Sequence, residues 1–389
     1  MKLLVFAHIP PPHHGQSYMV EMLLKGFAAE AENAGPNPAP IICYHVDARF
    51  STGMEDIAQP RAGKLVNLFK YVAQAIWIRV RHGVRFMYYA PAPPLKAPLY
   101  RDIIILTLLK PFFPRRAFYW HAAGLGEWLP TLPSWLQRLA HFALDGADIT
   151  MSPSSFGLPD AKVFNPKNAR VVPYGVPDPF PDYESRIAPR RAARIDELKK
   201  ANGSGTRVNL LFMALLTEEK GLLDALRALK ILRDAATPYD FHLTVAGKFL
   251  NPTEEQKFHN LVRDLSLVDA VAYAGFVSGA QKSERLLSAD VYIFPTWYYA
   301  ESAPLVLFEA MAAGLPIVTT AWRSLPEFFA PAYPGVVPIN SPKAVAEATL
   351  TLLQREDSTP LRQRFLAAFR LDRHLANLRA ALELVGPQE

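Results

Sequence analysis

Short apolar segments alternate with amphipathic segments along most of the chain. The apolar segments are rich in branched and aromatic side chains and predict buried β-strands, whereas apolar positions recurring every three or four residues predict helices. In the first half, the predicted strands cover about Leu3–Ala7, Ile41–His45, Phe86–Tyr89, Ala117–Trp120, Ile149–Met151 and Ala169–Val172. The predicted helices of this half cover about Ser17–Glu32, Asp102–Leu109 and Pro133–Leu144.

The same alternation returns in the second half. Its predicted strands cover about Asn209–Met213, Phe241–Ala246, Val271–Ala274, Asp290–Phe294 and Ile317–Thr320. Its predicted helices cover about Gly221–Arg233, Glu254–Leu265, Ala280–Ser288 and Leu305–Ala313. Strands that alternate with helices at this spacing form parallel sheets, so the sequence predicts the α/β class with two Rossmann-like domains facing across a cleft.

The predicted boundary lies in the proline-rich stretch Pro173–Asp182, which is followed by a charged helix and by the flexible joint Asn202–Gly205. These signals predict an N-terminal domain over residues 1–183, a linker region over 184–205 and a C-terminal domain over 206–360. A last helix, about Leu361 to Val385, occupies the remaining segment 361–389.

Composition and charge narrow the class of protein. The chain has 389 residues, a net charge of +6 and one cysteine, which excludes an internal disulfide framework and a cysteine-rich metal site. The positive charge favours anionic partners such as nucleoside diphosphates or acidic lipids. Nucleic acid is disfavoured, because no zinc spacing, helix-turn-helix signature or aromatic-basic sheet pattern is present. The segment Met1–Ala7 predicts a buried strand and not a signal peptide, so a cytoplasmic enzyme is expected.

Two carboxylates, Glu301 and Glu309, flank the start of a predicted helix that follows a buried strand ending at Pro295. The carboxyl end of such a strand is where an open α/β sheet binds ligands, and a helix N-terminus there attracts phosphate. A nucleotide sugar, with a diphosphate between two sets of hydroxyl groups, suits this arrangement. The alternative is that both glutamates are solvated charges near a helix start, where the helix dipole favours acids.

The segment from Pro295 to Gly314 closely resembles the donor-binding segment of retaining family 4 glycosyltransferases, with its Glu-x7-Glu motif. The resemblance covers most of the chain and is strongest from Asn209 to Glu327. It implies the GT-B arrangement, an acceptor-binding first domain, a nucleotide-sugar-binding second domain and a C-terminal helix that crosses back to the first domain.

The resemblance also implies catalytic roles for Glu301, Lys220 and His121. Glu301 would hold hydroxyls of the transferred sugar, and Lys220, in a segment similar to the Glu-Lys-Gly motif of the family, would face the donor β-phosphate. His121, after an apolar strand, would lie beside the sugar, although a lone histidine there is often structural. The arginine that the family usually places five positions before the lysine is replaced by Leu215. The implied donor-binding positions are Gly15, Gln16, Phe276, Ser302, Ala303, Pro304, Leu305 and Glu309.

A dinucleotide dehydrogenase, the obvious rival for two Rossmann-like domains, would need Gly-x-Gly-x-x-Gly after the first strand. That position holds a single glycine, Gly15, followed by Gln16 where the family usually has a second glycine. Gly15 could bring backbone close to a diphosphate or could belong to an ordinary strand–helix turn. No Asp-x-Asp pair for a catalytic metal is found, so metal independence is expected and no cofactor beyond the nucleoside-diphosphate sugar is needed.

The segment from Lys64 to Arg81 is apolar except for one narrow polar stripe and ends in several arginines. Such a helix either packs deeply in the first domain or lies at an anionic membrane surface, which would make the enzyme peripheral at the inner face of the cell membrane. The favoured function is retaining transfer of a hexose-type sugar to a hydroxyl of a glycan or lipid-linked glycan. A non-catalytic nucleotide-sugar-binding subunit and a nucleotide-sugar epimerase remain as alternatives.

Overall fold

A computed structural model describes residues 1–11, 14–33, 39–50, 62–201, 205–355, 357 and 359–386. The chain forms two compact units. The first comprises Met1–Gly175, Ala300–Ala303 and Leu371–Glu389, and the second comprises Val176–Tyr299 and Pro304–Arg370. Each unit is built on a parallel sheet of six strands, which confirms the predicted α/β fold class.

The first unit has the strand order β2-β1-β3-β4-β5-β6. Its strands are β1 (Lys2–Phe6), β2 (Ile42–Val46), β3 (Phe86–Tyr89), β4 (Arg115–Tyr119), β5 (Ile149–Ser152) and β6 (Ala169–Val171). Its helices up to β6 are α1 (Gly15–Asn33), α2 (Ala62–His82), α3 (Lys96–Leu109), α4 (Leu125–Trp128), α5 (Ser134–Leu144) and α6 (Leu158–Lys162). The sheet is covered by helices, and β3, β4 and β5 have no exposed residue, as expected for central parallel strands.

The second unit has the strand order β12-β11-β10-β7-β8-β9. Its strands are β7 (Thr206–Met213), β8 (Tyr239–Ala246), β9 (Val271–Tyr273), β10 (Val291–Phe294), β11 (Ile317–Thr320) and β12 (Val336–Val337). Its helices are α7 (Ala188–Lys199), α8 (Leu222–Asp234), α9 (Pro252–Asp264), α10 (Gly279–Ser288), α11 (Leu305–Ala312), α12 (Pro342–Leu353) and α13 (Thr359–Arg364). The short edge strand β12 and helix α12 were not predicted from the sequence.

The predicted single helix at the C-terminus is divided in the structure. Helix α13 ends at Arg364 and continues into a π-helical turn over Phe365–Phe369, and α14 then covers Leu371–Glu383. The helix cannot run through because Arg370 is extended, with φ −77° and ψ 148°, and forms a parallel bridge with Val176. Val176 also donates its backbone N–H to the carbonyl of Phe369, at 2.9 Å.

Helix α14 belongs to the first unit, as the predicted fold required. It approaches α1 so closely that a Cβ added at Gly26 would lie 2.3 Å from Leu375 Cδ1. Arg379 of α14 pairs with Glu30 at the end of α1. A glycine at position 26 therefore lets the C-terminal helix dock against the first helix.

The two strand orders locate a switch point in each sheet. This is the pair of neighbouring strands from which the following connections run towards opposite edges of the sheet. In the first unit it lies between β1 and β3, and in the second between β7 and β10. Open α/β sheets bind ligands at the carboxyl ends of strands at this point, because the loops diverge there and leave a crevice. The segment containing Lys220 follows β7, and the segment containing Glu301 and Glu309 follows β10.

Candidate functional site

The loops after β7 and β10 are joined by hydrogen bonds at the switch point of the second sheet. The carbonyl of Glu219 accepts the backbone N–H of Trp297 at 2.8 Å and the hydroxyl of Thr296 at 3.3 Å. Gly221 has φ +86°, and a Cβ there would lie 2.3 Å from the carbonyl oxygen of Pro295. Both the backbone conformation and the close approach therefore require glycine directly after Lys220.

Lys220 is held at this junction by its backbone and by two aromatic rings. Its N–H donates to Thr217 Oγ1 at 3.2 Å, and its Nζ lies 4.3 Å from the centroid of the Tyr298 ring and 5.8 Å from that of Phe294. The neighbouring acid Glu218 is already paired with Lys257, at 2.8 Å. A lysine held over aromatic rings at a sheet switch point suits the predicted contact with a phosphate.

Glu309 lies in α11, as predicted, and its carboxylate forms an ion pair with Lys282 of α10. The Glu309 side chain is mostly buried, whereas that of Lys282 is about one-third exposed. Lys282 was not singled out from the sequence. Lys282 and Glu309 lie on different helices and are 27 positions apart, so no local spacing predicts their ion pair. The pairing fixes one carboxylate oxygen and leaves the second oxygen to accept further hydrogen bonds.

The start of α11 has the features of an anion site. Pro304 is the N-cap, with φ −70° and ψ 116°, and Leu305 is the first helical residue. No acid lies in the first turn and no side chain caps it. The first N–H groups of a helix have no partner within the helix, so this end can receive a phosphate oxygen. The sequence placed Pro304 in the first turn, whereas the structure places it one position earlier.

Glu301 and its neighbours Ser302 and Ala303 belong to the first unit, although they lie between two elements of the second. The Glu301 residue is only 4% exposed, and Ser302 and Ala303 are also buried. The solvated-charge alternative is therefore wrong for Glu301. A buried carboxylate requires compensating partners, and this is the environment expected of a residue kept for a specific contact.

Leu215 is partly buried and lies two residues after the end of β7. Next to it, Leu216 donates its N–H to the carbonyl of Lys248, at 2.8 Å, so an exposed lysine lies on the adjacent strand end. Lys248 Nζ lies 5.4 Å from the ring centroid of Phe276, which is 54% exposed. Lys248 therefore lies just beyond the end of β8, beside the segment that lacks the expected arginine, and the sequence analysis did not identify it.

In the first unit, Gly15 begins helix α1 and is exposed. A Cβ added there would meet nothing within 4 Å, so glycine is not required by packing inside the unit. Gln16 is partly exposed in the same first turn. The preceding residue, His14, contacts His8 through their Nε2 atoms, 2.8 Å apart.

His121 lies two residues after β4, between two tyrosine hydroxyls. Its Nδ1 contacts the Tyr174 hydroxyl, and its Nε2 lies 3.2 Å from the Tyr88 hydroxyl. Burial, followed by the charges of His374 and His14, lowers the pKa of His121 well below its usual value. The ring is therefore neutral, and with both nitrogens engaged it can donate through only one of them. Neither tyrosine partner was predicted from the sequence.

The structure thus divides the predicted residues between the units. Gly15, Gln16, His121, Glu301, Ser302 and Ala303 lie in the first, and Lys220, Phe276, Pro304, Leu305 and Glu309 lie in the second. In the described ranges, no three side chains of His, Cys, Asp or Glu are placed to hold a metal ion. Metal independence stays a prediction.

Solved structures identify the fold as GT-B. The chain aligns over 99% of its length with sucrose-phosphate synthase from Thermosynechococcus elongatus, with a TM-score of 0.70 and 16% identity, covering 99% of that chain. It aligns equally widely with Alr3699/HepE from Anabaena solved in complex with UDP, with a TM-score of 0.65, 15% identity and all of that chain covered.

The sequence match to a protein family lies in the second unit. Residues 194–370, just under half of the chain, match the family model described as glycosyl transferases group 1, which confirms the predicted resemblance to glycosyltransferases for this part. Retention of configuration and the role of the Glu-x7-Glu motif stay predictions. The amylovoran biosynthesis glycosyltransferase AmsK of Erwinia amylovora is 30% identical over 154 residues, which are 38% of this chain and 37% of AmsK. The chain spans about two fifths of the length of the first curated relatives it matches.

Proposed function

We propose that this protein is a glycosyltransferase that moves a hexose-type sugar, with retention of anomeric configuration, from a nucleoside-diphosphate sugar to a hydroxyl of a glycan or lipid-linked glycan. The observation that carries the proposal is the junction of the β7 and β10 loops. It places Lys220, above the Tyr298 ring, beside the segment that leads to the uncapped start of α11. A fixed cation and a helix N-terminus at a sheet switch point form a diphosphate site.

In the proposed reaction, the bond between the sugar C1 and the β-phosphate oxygen breaks, and a new bond forms between C1 and the acceptor oxygen on the same face. The proton of the acceptor hydroxyl passes to the departing phosphate, so charges and protons balance without a covalent enzyme intermediate. Lys220 would stabilise the negative charge that develops on the phosphate. Glu301 would hold sugar hydroxyls, and Glu309 would hold the ribose hydroxyls through the oxygen that Lys282 leaves available.

The class of donor is supported by HepE, a structural neighbour described as a complex with UDP, and the class of product by AmsK, described as an amylovoran biosynthesis glycosyltransferase. We propose that Phe276 contacts the base and that Lys248 contributes part of the positive charge missing at Leu215. No metal ion or further cofactor is required by this proposal, and turnover should persist in excess chelator.

Two experiments test the proposal in sequence. First, thermal shifts with UDP-, GDP- and ADP-sugars identify the donor, because a ligand that binds the folded state raises the melting temperature by mass action. Second, the matched donor is incubated with glycan and lipid-linked acceptors, and the anomeric configuration of the product is determined by NMR. An inverted product would refute the proposed mechanism. Donor binding with neither transfer nor slow donor hydrolysis would favour the non-catalytic binding subunit. Conversion of the free nucleotide sugar into its epimer would favour the epimerase.

The proposal extends to location. No helix in the described ranges is long and apolar enough to cross a bilayer. We propose that the protein works in the cytoplasm and reaches a lipid-linked acceptor by peripheral contact with the inner face of the cell membrane.

A further inference from the structure

Helix α2 has two apolar sides. One side packs into the core of the first unit through Leu68, Val72, Ala75 and Ile78. The opposite side is exposed and still apolar, with Trp77 60% and Val80 76% exposed, together with Leu65, Val66 and Phe69. The core-helix hypothesis therefore holds for one side of α2, and contact of the other side with a membrane stays a prediction. A monomeric soluble protein rarely leaves so many large apolar side chains exposed on one helix.

The exposed apolar side chains continue onto the neighbouring helices. Helix α5 exposes Trp135, Leu139 and Phe142, and α3 with the turn after it exposes Tyr100, Leu108 and Phe112. We call these residues, with Leu65, Val66, Phe69, Trp77 and Val80 of α2, the three-helix face.

Direct contacts join the three helices. The rings of Tyr100 and Trp135 are stacked, with centroids 6.4 Å apart. Lys110, at the end of α3, donates to the carbonyl of Phe142 at 2.7 Å and lies 5.1 Å from the centroid of its ring. Arg79 of α2 donates to the carbonyl of Phe112 at 2.9 Å. The exposed aromatic residues therefore belong to one continuous surface.

Basic residues greatly outnumber acidic ones in this part of the chain. From Ala62 to Leu144 there are eleven lysines and arginines but two acids, Asp102 and Glu127. Asp102, the one acid in the sequences of α2, α3 and α5, is buried and bound to Arg101, and Asp145, the partly exposed C-cap of α5, contacts His141. Lys70 and Arg81 lie on the exposed side of α2, one turn from Val66 and Trp77.

We infer that the three-helix face docks on the surface of an anionic lipid bilayer. Tryptophan and phenylalanine would enter the boundary between headgroups and acyl chains, while the surrounding lysines and arginines contact acidic headgroups. The sequence suggested such contact for the Lys64–Arg81 segment with the nearby basic residues Arg85, Lys110, Arg115 and Arg116, whereas we infer it from three helices with two exposed tryptophans. A second copy of this chain is a poorer occupant, because two identical cationic faces would bring like charges together.

Flotation of the full chain with vesicles tests the inference. The vesicles consist of phosphatidylcholine alone or of phosphatidylcholine mixed with phosphatidylglycerol, at low and high salt. We expect binding to the anionic vesicles at low salt, partial release as salt screens the charges, and little binding to neutral vesicles. Brominated lipid should quench tryptophan fluorescence in the bound protein. Absence of flotation with anionic vesicles at low salt would overturn the inference.

Substitutions separate this face from a general affinity for lipid. Trp77→Ser and Phe142→Ser should each weaken partitioning about tenfold, because an aromatic side chain leaves the interface. Lys70→Gln and Arg81→Gln should each weaken it about fivefold, through loss of one headgroup contact. The control is Val268→Ser, an equally exposed apolar position in the second unit, and it should change nothing. Circular dichroism checks that each variant is folded.

Two results would contradict the assignment. An equal loss in the Val268 variant would show that the binding is not specific to the three-helix face. A lipid-free dimer, detected by analytical ultracentrifugation and dissociated by Trp77→Ser, would show that a second copy covers the face. Neither readout depends on glycosyl transfer, so failure of the docking inference is distinguishable from failure of the proposed function.

Discussion

Each of the two six-stranded parallel sheets has a switch point, but the carboxyl edges of the sheets differ in chemistry. The edge of the first sheet is lined by buried aromatic and histidine side chains, including Tyr88, His121 and Tyr174. The edge of the second sheet carries lysines and an acid, with Lys220 over Tyr298 and Lys282 paired with Glu309. The same strand–loop–helix unit thus presents aromatic and histidine side chains in one unit and lysines with an acid in the other.

This difference follows from what is buried. Burial lowers the pKa of His8 and of His374 to about 4, so both rings are neutral near pH 7. The lysines of the second edge instead form an ion pair or lie over an aromatic ring. Hydrogen-bonding aromatic and histidine side chains suit sugar hydroxyls, whereas lysines suit a diphosphate. The contrast supports the proposed division between acceptor and donor units.

The largest expected effect is on the cationic edge. Lys220→Ala should lower turnover about 10²–10³-fold, because removal of one preorganised electrostatic group typically has that effect. Initial rates with the matched donor and acceptor provide the measurement. Lys230→Ala, on the solvent side of the following helix α8, is the control and should retain full activity. Full activity of the Lys220 variant would show that the two edges do not differ in the way proposed.

The next effect concerns Glu301, which belongs to the first unit although the elements on either side of it belong to the second. Glu301→Ala should lower kcat about ten- to a hundred-fold, because charged hydrogen bonds to buried hydroxyls are worth about 1.5–3 kcal/mol. Glu309→Ala should instead raise the donor KM, since its proposed contact is with the ribose. Glu21→Ala, a surface ion-pair residue of the first unit, is the control. If Glu301→Ala and Glu309→Ala changed kcat and KM to the same extent, the proposed distinction between a contact with the sugar and a contact with the ribose would be wrong.

Acid should affect the first unit specifically. The pKa of His374 is about 4 in the folded chain and near 6.5 when unfolded, so its stabilising contribution is complete above pH 6.5 and is lost as pH falls towards 4. Between pH 6.5 and 5 the loss should approach about 2 kcal/mol for this residue. His374→Gln should reduce the pH dependence of the free energy of unfolding, measured by denaturant titration. His259→Gln, at an exposed site of the second unit, should leave it unchanged.

The smallest expected effect is at Lys282. Lys282→Gln should raise the donor KM about two- to tenfold and leave kcat nearly unchanged, because Glu309 loses the cation that orients it while other ligands stay in place. Lys343→Gln, an exposed lysine of the second unit, is the matched control. A large fall in kcat with an unchanged KM would mean that Lys282 acts on the reacting phosphate and not through Glu309.

The sequence by itself determined the class of fold and the order of its elements. Strands β3 and β11 were predicted at their observed bounds, because continuous buried strands leave a strong local pattern of apolar residues. The loop and helix that contain Glu301, Pro304 and Glu309 were also predicted, because neighbouring residues in the sequence mark where they begin and end. The last helix was predicted wrongly as one element, since the bridge between Arg370 and Val176 that interrupts it joins distant positions.

The tertiary structure alone decided which groups act on one another. Lys282 meets Glu309, Tyr174 meets His121, and Lys248 meets Phe276 only after strands and helices are assembled. Helical periodicity predicted that α2 is apolar except for one narrow polar stripe, but only packing showed which apolar side lies in the core and which side is exposed. Local pattern fixes backbone conformation, whereas pairing, burial and the pKa of each histidine depend on neighbours that the chain brings from far away.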